Sequence, residues 1–311
     1  MPELVYEDTV GDVEADLDLC TVPDDVKEFA RVRLGETPEK RMEMLDELRE
    51  LIYERGEFEP LRMDDDYLTR FLRARNYKLE PTYRLLNNYC NFREENYEYY
   101  DGVNPMNLYR IGDANILSVL PYRDQNGRRI LIYRLGKWIP SEVPMEDLFK
   151  ASIATLEAGI LEPRAQILGG VAIFDMADLS MTQAWYMTPS VASKVQEIMA
   201  TSFPMKISAI HIVNESWVFE KVYSMFKPFL TTRYKDILFF HGSDMNSLHK
   251  HIDPKFLPES YGGKRPEFHY AEWFRKLTKN RAVVEAMTEL GYKTEYNEDN
   301  SDEDDVKDKD E

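Results

Sequence analysis

Cysteine is nearly absent from this chain: Cys20 and Cys90 are the two in 311 residues. Two thiols without a C-x-x-C spacing exclude a disulfide scaffold and a cysteine zinc site. Histidine is almost as scarce, with five residues. No G-x-G-x-x-G follows an apolar run, and neither G-x-x-x-x-G-K-[ST] nor G-x-S-x-G occurs. Phosphate-cradling loops and a nucleophile elbow therefore have no counterpart here. The first residues, Met1 to Asp8, carry neither a basic stretch nor an apolar one, which is unlike a signal peptide. No apolar run approaches the ~18 residues of a membrane span. Together these absences predict a soluble, reduced, cytoplasmic protein.

Acid is what the chain has in excess. It carries 57 acidic and 39 basic side chains, a formal net charge of −18. The excess sits at the ends. Residues 1–30 hold ten acids and one base, Lys27, and residues 295–311 hold ten acids and two bases, Lys307 and Lys309. The stretch between them is close to neutral, with 37 acids and 36 bases. An acidic chain is a poor partner for nucleic acid, where affinity comes from neutralising phosphates. The neutral body leaves an anionic lipid surface open as a partner. At 43% hydrophobic the chain can bury a substantial core, and its length suits one large domain or two smaller ones.

Along the chain, 1–30 reads as a flexible acidic lead-in with a short helix near 23–30. Thr37-Pro38 starts a helix, with threonine as N-cap and proline in the first turn, and Gly56 ends it. A second helix begins at Asp64, Asp65 and Asp66, whose carboxylates favour an N-terminus. A third runs from Pro81 to about Glu98. Residues 31–100 thus form a helical module. The apolar runs 116–120 and 130–135 flank Asp124 to Gly127, a hairpin signal. Helix and strand then alternate: helix at 144–161, strand at 170–176, helix at 189–203, strand at 206–213, helix at 217–230, strand at 236–241. This alternation predicts an α/β fold with a mostly parallel sheet over residues 101–280. A last helical stretch covers about 270–290, with 281–294 as a C-terminal helix. The acidic tail, 295–311, is expected to be disordered.

Catalytic constellations are weak. His249 and His251, two apart, point in different directions on a helix and do not make a metal pair. His211 and His241 stand near strand ends, where ligands bind in open α/β sheets; the simpler reading is hydrogen bonding within the sheet. Asp175 and Asp178 could imitate a carboxylate pair, but no base, nucleophile or metal set accompanies them, and loop capping accounts for them. The chain is therefore read as a non-enzyme with no metal and no cofactor. The segment 217–230 is more informative. Its apolar residues exceed one stripe, and its charged residues are Glu220, Lys221 and Lys227. Such a helix is either an ordinary core helix or the cover of something apolar that is not protein, and Pro228 should break its last turn. Lys206, Lys221, Lys227, Arg233 and Lys235 cluster around it, as on a protein that reads an anionic membrane.

These residues also carry a family resemblance. Residues 64–81 (DDDYLTRFLRARNYKLEP) resemble the N-terminal helical module of CRAL-TRIO proteins. Residues 204–214 (PMKISAIHIVN), 226–230 (FKPFL), His241-Gly242 and 257–263 (LPESYGG) resemble the ordered signatures of its lipid-binding domain, and Gly136-Lys137-Trp138 fits the family's early strand end. The resemblance covers about residues 40–280. It is to the tocopherol-transfer, retinaldehyde-binding and clavesin subgroup rather than the yeast phosphatidylinositol-transfer branch. It implies an N-terminal three-helix module and an α/β domain with a hydrophobic cavity closed by a helical gate. Matching motifs carry over the ligand-binding positions Phe149, Ser152, Phe174, Ile198, Met199, Phe203, Met205 and Ile210. The gate is implied at Trp217, Val218, Phe219, Val222, Met225, Phe226, Phe229 and Leu230. Leu156 stands where the tocopherol pattern has a second serine. Arg75, Lys206 and Arg233 match basic positions for phosphoinositide head groups, whereas Ser208 and Ile237 stand where that pattern has arginine.

The function implied is a cytosolic carrier of a small hydrophobic lipid, tocopherol-, retinoid- or other isoprenoid-like, that exchanges it at phosphoinositide-containing membranes. The alternative is a phosphoinositide-binding trafficking adaptor of endosomal membranes that transfers no lipid. The expected partners are the lipid and the anionic membrane surface, with the acidic tail as a candidate docking segment for a protein.

Overall fold

A computed structural model describes residues 17, 19, 21–230 and 232–295, without the side chains of Tyr109 and Arg233. The acidic stretches 1–16 and 296–311, including the tail expected to be disordered, lie outside the described residues.

The N-terminal part is a module of four helices: α1 (Asp24–Leu34), α2 (Pro38–Arg55), α3 (Asp65–Ala74) and α4 (Leu79–Glu95). Its caps are the ones the side chains favour. Thr37 accepts from the Lys40 N–H at 3.1 Å, and Asp64 accepts from the Tyr67 N–H at 3.0 Å. The helix α1 matches the short helix expected near 23–30 and runs on to Leu34. Val26, Ala30 and Leu34 are buried, and α1 packs against α7 (Pro163–Leu168) of the α/β part, so its apolar side holds it to the body.

A short α5 (Tyr109–Asp113) leads to the hairpin of β1 (Leu117–Arg123) and β2 (Arg129–Arg134). Its turn is set by Asp124, whose carboxylate accepts from the backbone N–H of Asn126 and Arg128. Next come α6 (Met145–Ile160), α7 (Pro163–Leu168), β3 (Gly170–Asp175), α8 (Met181–Tyr186), α9 (Pro189–Gln196) and β4 (Ile207–Val213). They are followed by α10 (Trp217–Phe226), α11 (Thr232–Ile237), β5 (Leu238–Phe240), α12 (Met245–His249), α13 (Tyr270–Leu277) and α14 (Arg281–Glu289). The five strands form one sheet in the order β1-β2-β3-β4-β5. The first pair is antiparallel and the others are parallel. Strands β2 to β5 lie side by side in chain order, so right-handed crossovers put all their connecting helices on one face.

The alternation along each strand then divides the core. Tyr133, Phe174 and Ile212 stand in register on the crossover face. Ile132 and Ile173 stand on the other face, beneath Leu248, Ile252, Leu257 and Tyr261. Both faces are covered, which is why these strands are nearly continuous apolar runs. Gly263 seats the segment that covers the far face: a Cβ there would meet the Leu257 carbonyl oxygen at 1.9 Å.

Four expected elements end differently. The strand expected at 236–241 is confined to β5, because Asp236 and Ile237 complete α11. The helix expected at 189–203 becomes α9 followed by a π-turn, Glu197–Ser202. The helix expected at 217–230 stops at Phe226 and tightens into a 3-10 turn, Lys227–Phe229, around Pro228. The stretch expected at 270–290 is two helices, divided at the expected start of the C-terminal helix, because the Asn280 side chain caps α14 by accepting from Ala282 and Val283; α14 then ends at Glu289 instead of 294.

On the far face His211 and His241 hydrogen-bond to each other, Nδ1 to Nε2, at 2.9 Å, and His241 Nδ1 meets the Ser247 hydroxyl at 2.9 Å. Burial, then the neighbouring His241 and His251, push His211 down to about 3. A histidine depressed in the folded state binds its proton more readily when unfolded, so its stability contribution is lost as pH falls below about 6.5. Between pH 6.5 and pH 5, His211 should account for a loss of about 2 kcal/mol. Denaturant titrations of wild type and His211→Asn at both pH values check this. Equal pH slopes for the two proteins would count against it.

Candidate functional site: an apolar cavity beneath a helix

The crossover face of the sheet does not pack directly onto all of its helices. Between them lies a cavity of about 220 Å³, continued by a lobe of about 70 Å³. Tyr133, Leu156, Phe174, Ile198 and Met199 line both. The floor is built by alternate strand residues: Tyr133 on β2, Phe174 on β3, Ile210 and Ile212 on β4, Leu238 on β5. Tyr133 and Phe174 stack with ring centroids 5.0 Å apart and planes 9° apart. One wall is α6, which presents Phe149, Ser152 and Leu156 at i, i+3 and i+7. The opposite wall is α9 with the π-turn that follows it.

The lining is almost wholly apolar, and its hydroxyl groups belong to Tyr133, Ser152 and Tyr223. Ser152 Oγ donates to the Leu148 carbonyl at 2.7 Å and also engages the Tyr133 phenol. Burial pushes that phenol above its ordinary range, and the Ser152 contact opposes the shift. The Ser152–Tyr133 pair is thus a neutral polar locus in apolar surroundings. Among the described residues no three His, Cys, Asp or Glu side chains gather as metal ligands. Asp175 is occupied in the loop after β3, accepting from the Ala177 N–H, Asn214 Nδ2 and the Tyr261 hydroxyl.

The helix α10 closes the cavity. Phe219, Val222, Tyr223 and Phe226 line it, as does Leu230 beyond the 3-10 turn. Phe240 at the end of β5 packs on Phe219 and Tyr223, with centroids 6.1 and 5.3 Å away. The opposite side of α10 faces solvent: Trp217 is 63% exposed, with Lys221 Nζ 5.4 Å from its ring centroid. Glu220, Ser224 and Lys227 are exposed beside it. Trp185, on the contacting helix α8, is 76% exposed.

All eight positions expected to hold ligand border these spaces. Phe149, Ser152 and Ile210 line the larger, Phe203 and Met205 the smaller, and Phe174, Ile198 and Met199 both. The gate positions divide. Phe219, Val222, Phe226 and Leu230 line the cavity, whereas Trp217 points outward and Val218 is buried without lining it. Met225 and Phe229 are half-buried and border neither space. Tyr133, Ile212, Leu238 and Tyr223 are lining residues absent from the expected set. The strand alternation could have identified the first three, since each stands two residues or one strand from an expected position.

Two of the three basic positions meet at the end of α3. Arg75, its C-cap residue, donates through Nη2 to the Ala200 carbonyl at 3.2 Å. Lys206 Nζ donates to Asn76 Oδ1 at 2.6 Å, which brings these two bases together. Arg233 belongs to α11 and its side chain lies outside the described residues. Ser208 is committed to the Leu168 carbonyl at 2.9 Å.

A profile of the CRAL/TRIO domain matches residues 113–263. The chain is 34% identical over 255 residues to the Alpha-tocopherol transfer protein-like protein of Mus musculus, covering 82% of this chain and 74% of that one. It is 33% identical over 255 residues to Clavesin-1 of Rattus norvegicus, covering 81% and 72%. The solved structure of Sfh5 aligns with a TM-score of 0.48 at 17% identity, over 78% of this chain and 97% of that one. Identity at this level over most of both sequences, together with the domain match, makes the chain a member of the CRAL-TRIO family.

Proposed function

We propose that this protein carries a small hydrophobic lipid in the gated cavity and exchanges it at phosphoinositide-containing membranes, with no covalent chemistry. The observation that carries the reading is the apolar cavity beneath an amphipathic helix whose outer side is exposed. At ~25 cal/mol per Å², a ligand hiding ~300 Å² of apolar surface gains ~7 kcal/mol before ordering costs. The Met and Phe lining suits a flexible isoprenoid, because aromatics supply contact area and methionine adapts its shape. Among the candidate ligands a tocopherol-like one is favoured by the name of the mouse relative, and the Ser152–Tyr133 pair offers a hydroxyl-bearing ligand a polar partner.

Exchange starts when Lys206, Arg75 and Arg233 meet an anionic head group. The exposed Trp217 and Trp185 then enter the interface, where indole rings are favoured, and α10 swings away from the sheet. Transfer of a fluorescent isoprenoid between vesicles tests this. Wild type should transfer faster to acceptors containing phosphatidylinositol bisphosphate than to neutral ones. Lys206→Ala with Arg233→Ala should lose most of that difference, about ten-fold, while retaining ligand in solution. Membrane binding by wild type without any transfer would favour the adaptor reading instead.

A further inference from the structure

The π-turn between α9 and β4 has a second feature besides lining the cavity. A π-turn departs from the α-helical ladder and recurs at functional sites. Here its C-terminal end has no helical continuation: Phe203 is extended, with φ −114° and ψ 133°, and Pro204 brings no N–H. The last carbonyls of such a helix need donors from elsewhere. Three consecutive ones have them, each from a different element. The Met199 carbonyl accepts from the Tyr234 hydroxyl of α11. The Ala200 carbonyl accepts from Arg75 Nη2 at 3.2 Å. The Thr201 carbonyl accepts from Asn88 Nδ2 of α4 at 3.2 Å. The same turn presents Ile198 and Met199 to the cavity. This stretch of wall is therefore held from outside by three side chains.

One of the three, Tyr234, sits next to the gate segment, and another, Arg75, sits where the anion is proposed to bind. The helix α11 follows the 3-10 turn that ends the gate segment, so a displacement of α10 that draws α11 with it takes Tyr234 off the Met199 carbonyl. Arg75 belongs to the basic group at the end of α3, so an anion that engages its guanidinium weakens the Ala200 contact. We infer that the π-turn is a second moving wall of the cavity, latched by Tyr234, Arg75 and Asn88, and that gate displacement releases it. The cavity then opens from two sides in one event, and Tyr234 acts as a positioning residue for Ile198 and Met199. This inference rests on the gate reading above.

Hydrogen exchange on the full chain tests it, with and without phosphatidylcholine vesicles carrying phosphatidylinositol bisphosphate. Vesicles should speed amide exchange both in 217–230 and in 197–203. Tyr234→Phe should speed exchange in 197–203 about five-fold without vesicles, the size of one net hydrogen bond. Its 217–230 segment should stay at the wild-type rate and its Tm should fall by no more than the ~2 °C that one hydrogen bond accounts for, and Asn88→Ala should act on 197–203 in the same way. A general structural role would instead raise exchange everywhere and lower Tm by well over ~2 °C. If vesicles speed exchange in 217–230 but not in 197–203, or if Tyr234→Phe leaves 197–203 unchanged, the second wall is rigid and the inference fails while the gate reading stands. If vesicles alter neither segment, the gate reading fails and takes the inference with it.

Discussion

Leu156→Trp should abolish ligand retention while leaving the protein folded. Leu156 lies one helical turn beyond Ser152 on α6 and lines both lobes of the cavity. An indole there adds about 60 Å³ of side-chain volume into space that already exists, so it need not push the backbone aside. The volume it fills is the volume a ligand needs at the junction of the lobes. Apparent affinity should fall about 100-fold, or about 2.7 kcal/mol. Native mass spectrometry of the purified protein, followed by titration with the lipid extracted from wild type, gives the measurement. A full lipid load in the variant, at unchanged affinity, would place the ligand somewhere else.

Arg93→Leu should be the most damaging single change to stability. Glu157 on α6 is wholly buried, and its Oε1 accepts from the Tyr89 hydroxyl at 2.7 Å and from Arg93 Nη1 at 3.4 Å. Arg93 also lies 3.8 Å over the Tyr100 ring and donates to the Leu290 carbonyl. One guanidinium therefore ties the helical module, the cavity wall and the C-terminal segment together. Burial raises the Glu157 carboxyl above its usual range even with Arg93 beside it pulling the other way. Removing the arginine leaves a buried carboxylate with little compensation, a loss of about 3–5 kcal/mol. In a protein of this size that lowers Tm by about 10 °C.

Two controls identify the cause. Arg93→Leu combined with Glu157→Leu should recover at least half of the loss, because the stranded charge goes with its partner. The sign of the pH dependence also differs. A carboxyl whose folded pKa lies above its unfolded value contributes most below the unfolded value and loses that contribution as pH rises. Relative to wild type, Arg93→Leu should therefore recover stability as pH falls from 7 towards 5. A variant as stable as wild type at pH 7 would mean that the pair is not what holds α4 to α6.

Local chemistry made much of the architecture legible beforehand. Thr37 and Asp64 cap their helices, Asp124 turns the hairpin, and the apolar runs of β3 and β4 lie buried on both faces, as their residue types dictate. The excess of apolar residues at 217–230 falls on a helix with Phe219, Val222, Tyr223 and Phe226 towards the cavity and Trp217 towards solvent. Less legible were the places where backbone chemistry meets a distant partner. Nothing within residues 189–203 indicates a π-turn, because the groups that satisfy its carbonyls are Arg75, Asn88 and Tyr234. The end of α11 displaces the expected start of β5 for a similar reason: Asp236 and Ile237 suit either element, and tertiary packing selects.

The sequence by itself determined most of the elements, the caps at Thr37 and Asp64, the near-neutral body between acidic ends and the family to which the chain belongs. These follow from side chains acting within a few residues of one another and from motifs kept in order. Tertiary structure alone decided how far the crossover helices stand off the sheet, and that Tyr223 joins the cavity lining. It also decided that Trp217 faces outward and that Arg93 meets Glu157 across 64 residues of chain. Those outcomes depend on strand order and crossover hand, which bring together groups that no local pattern connects.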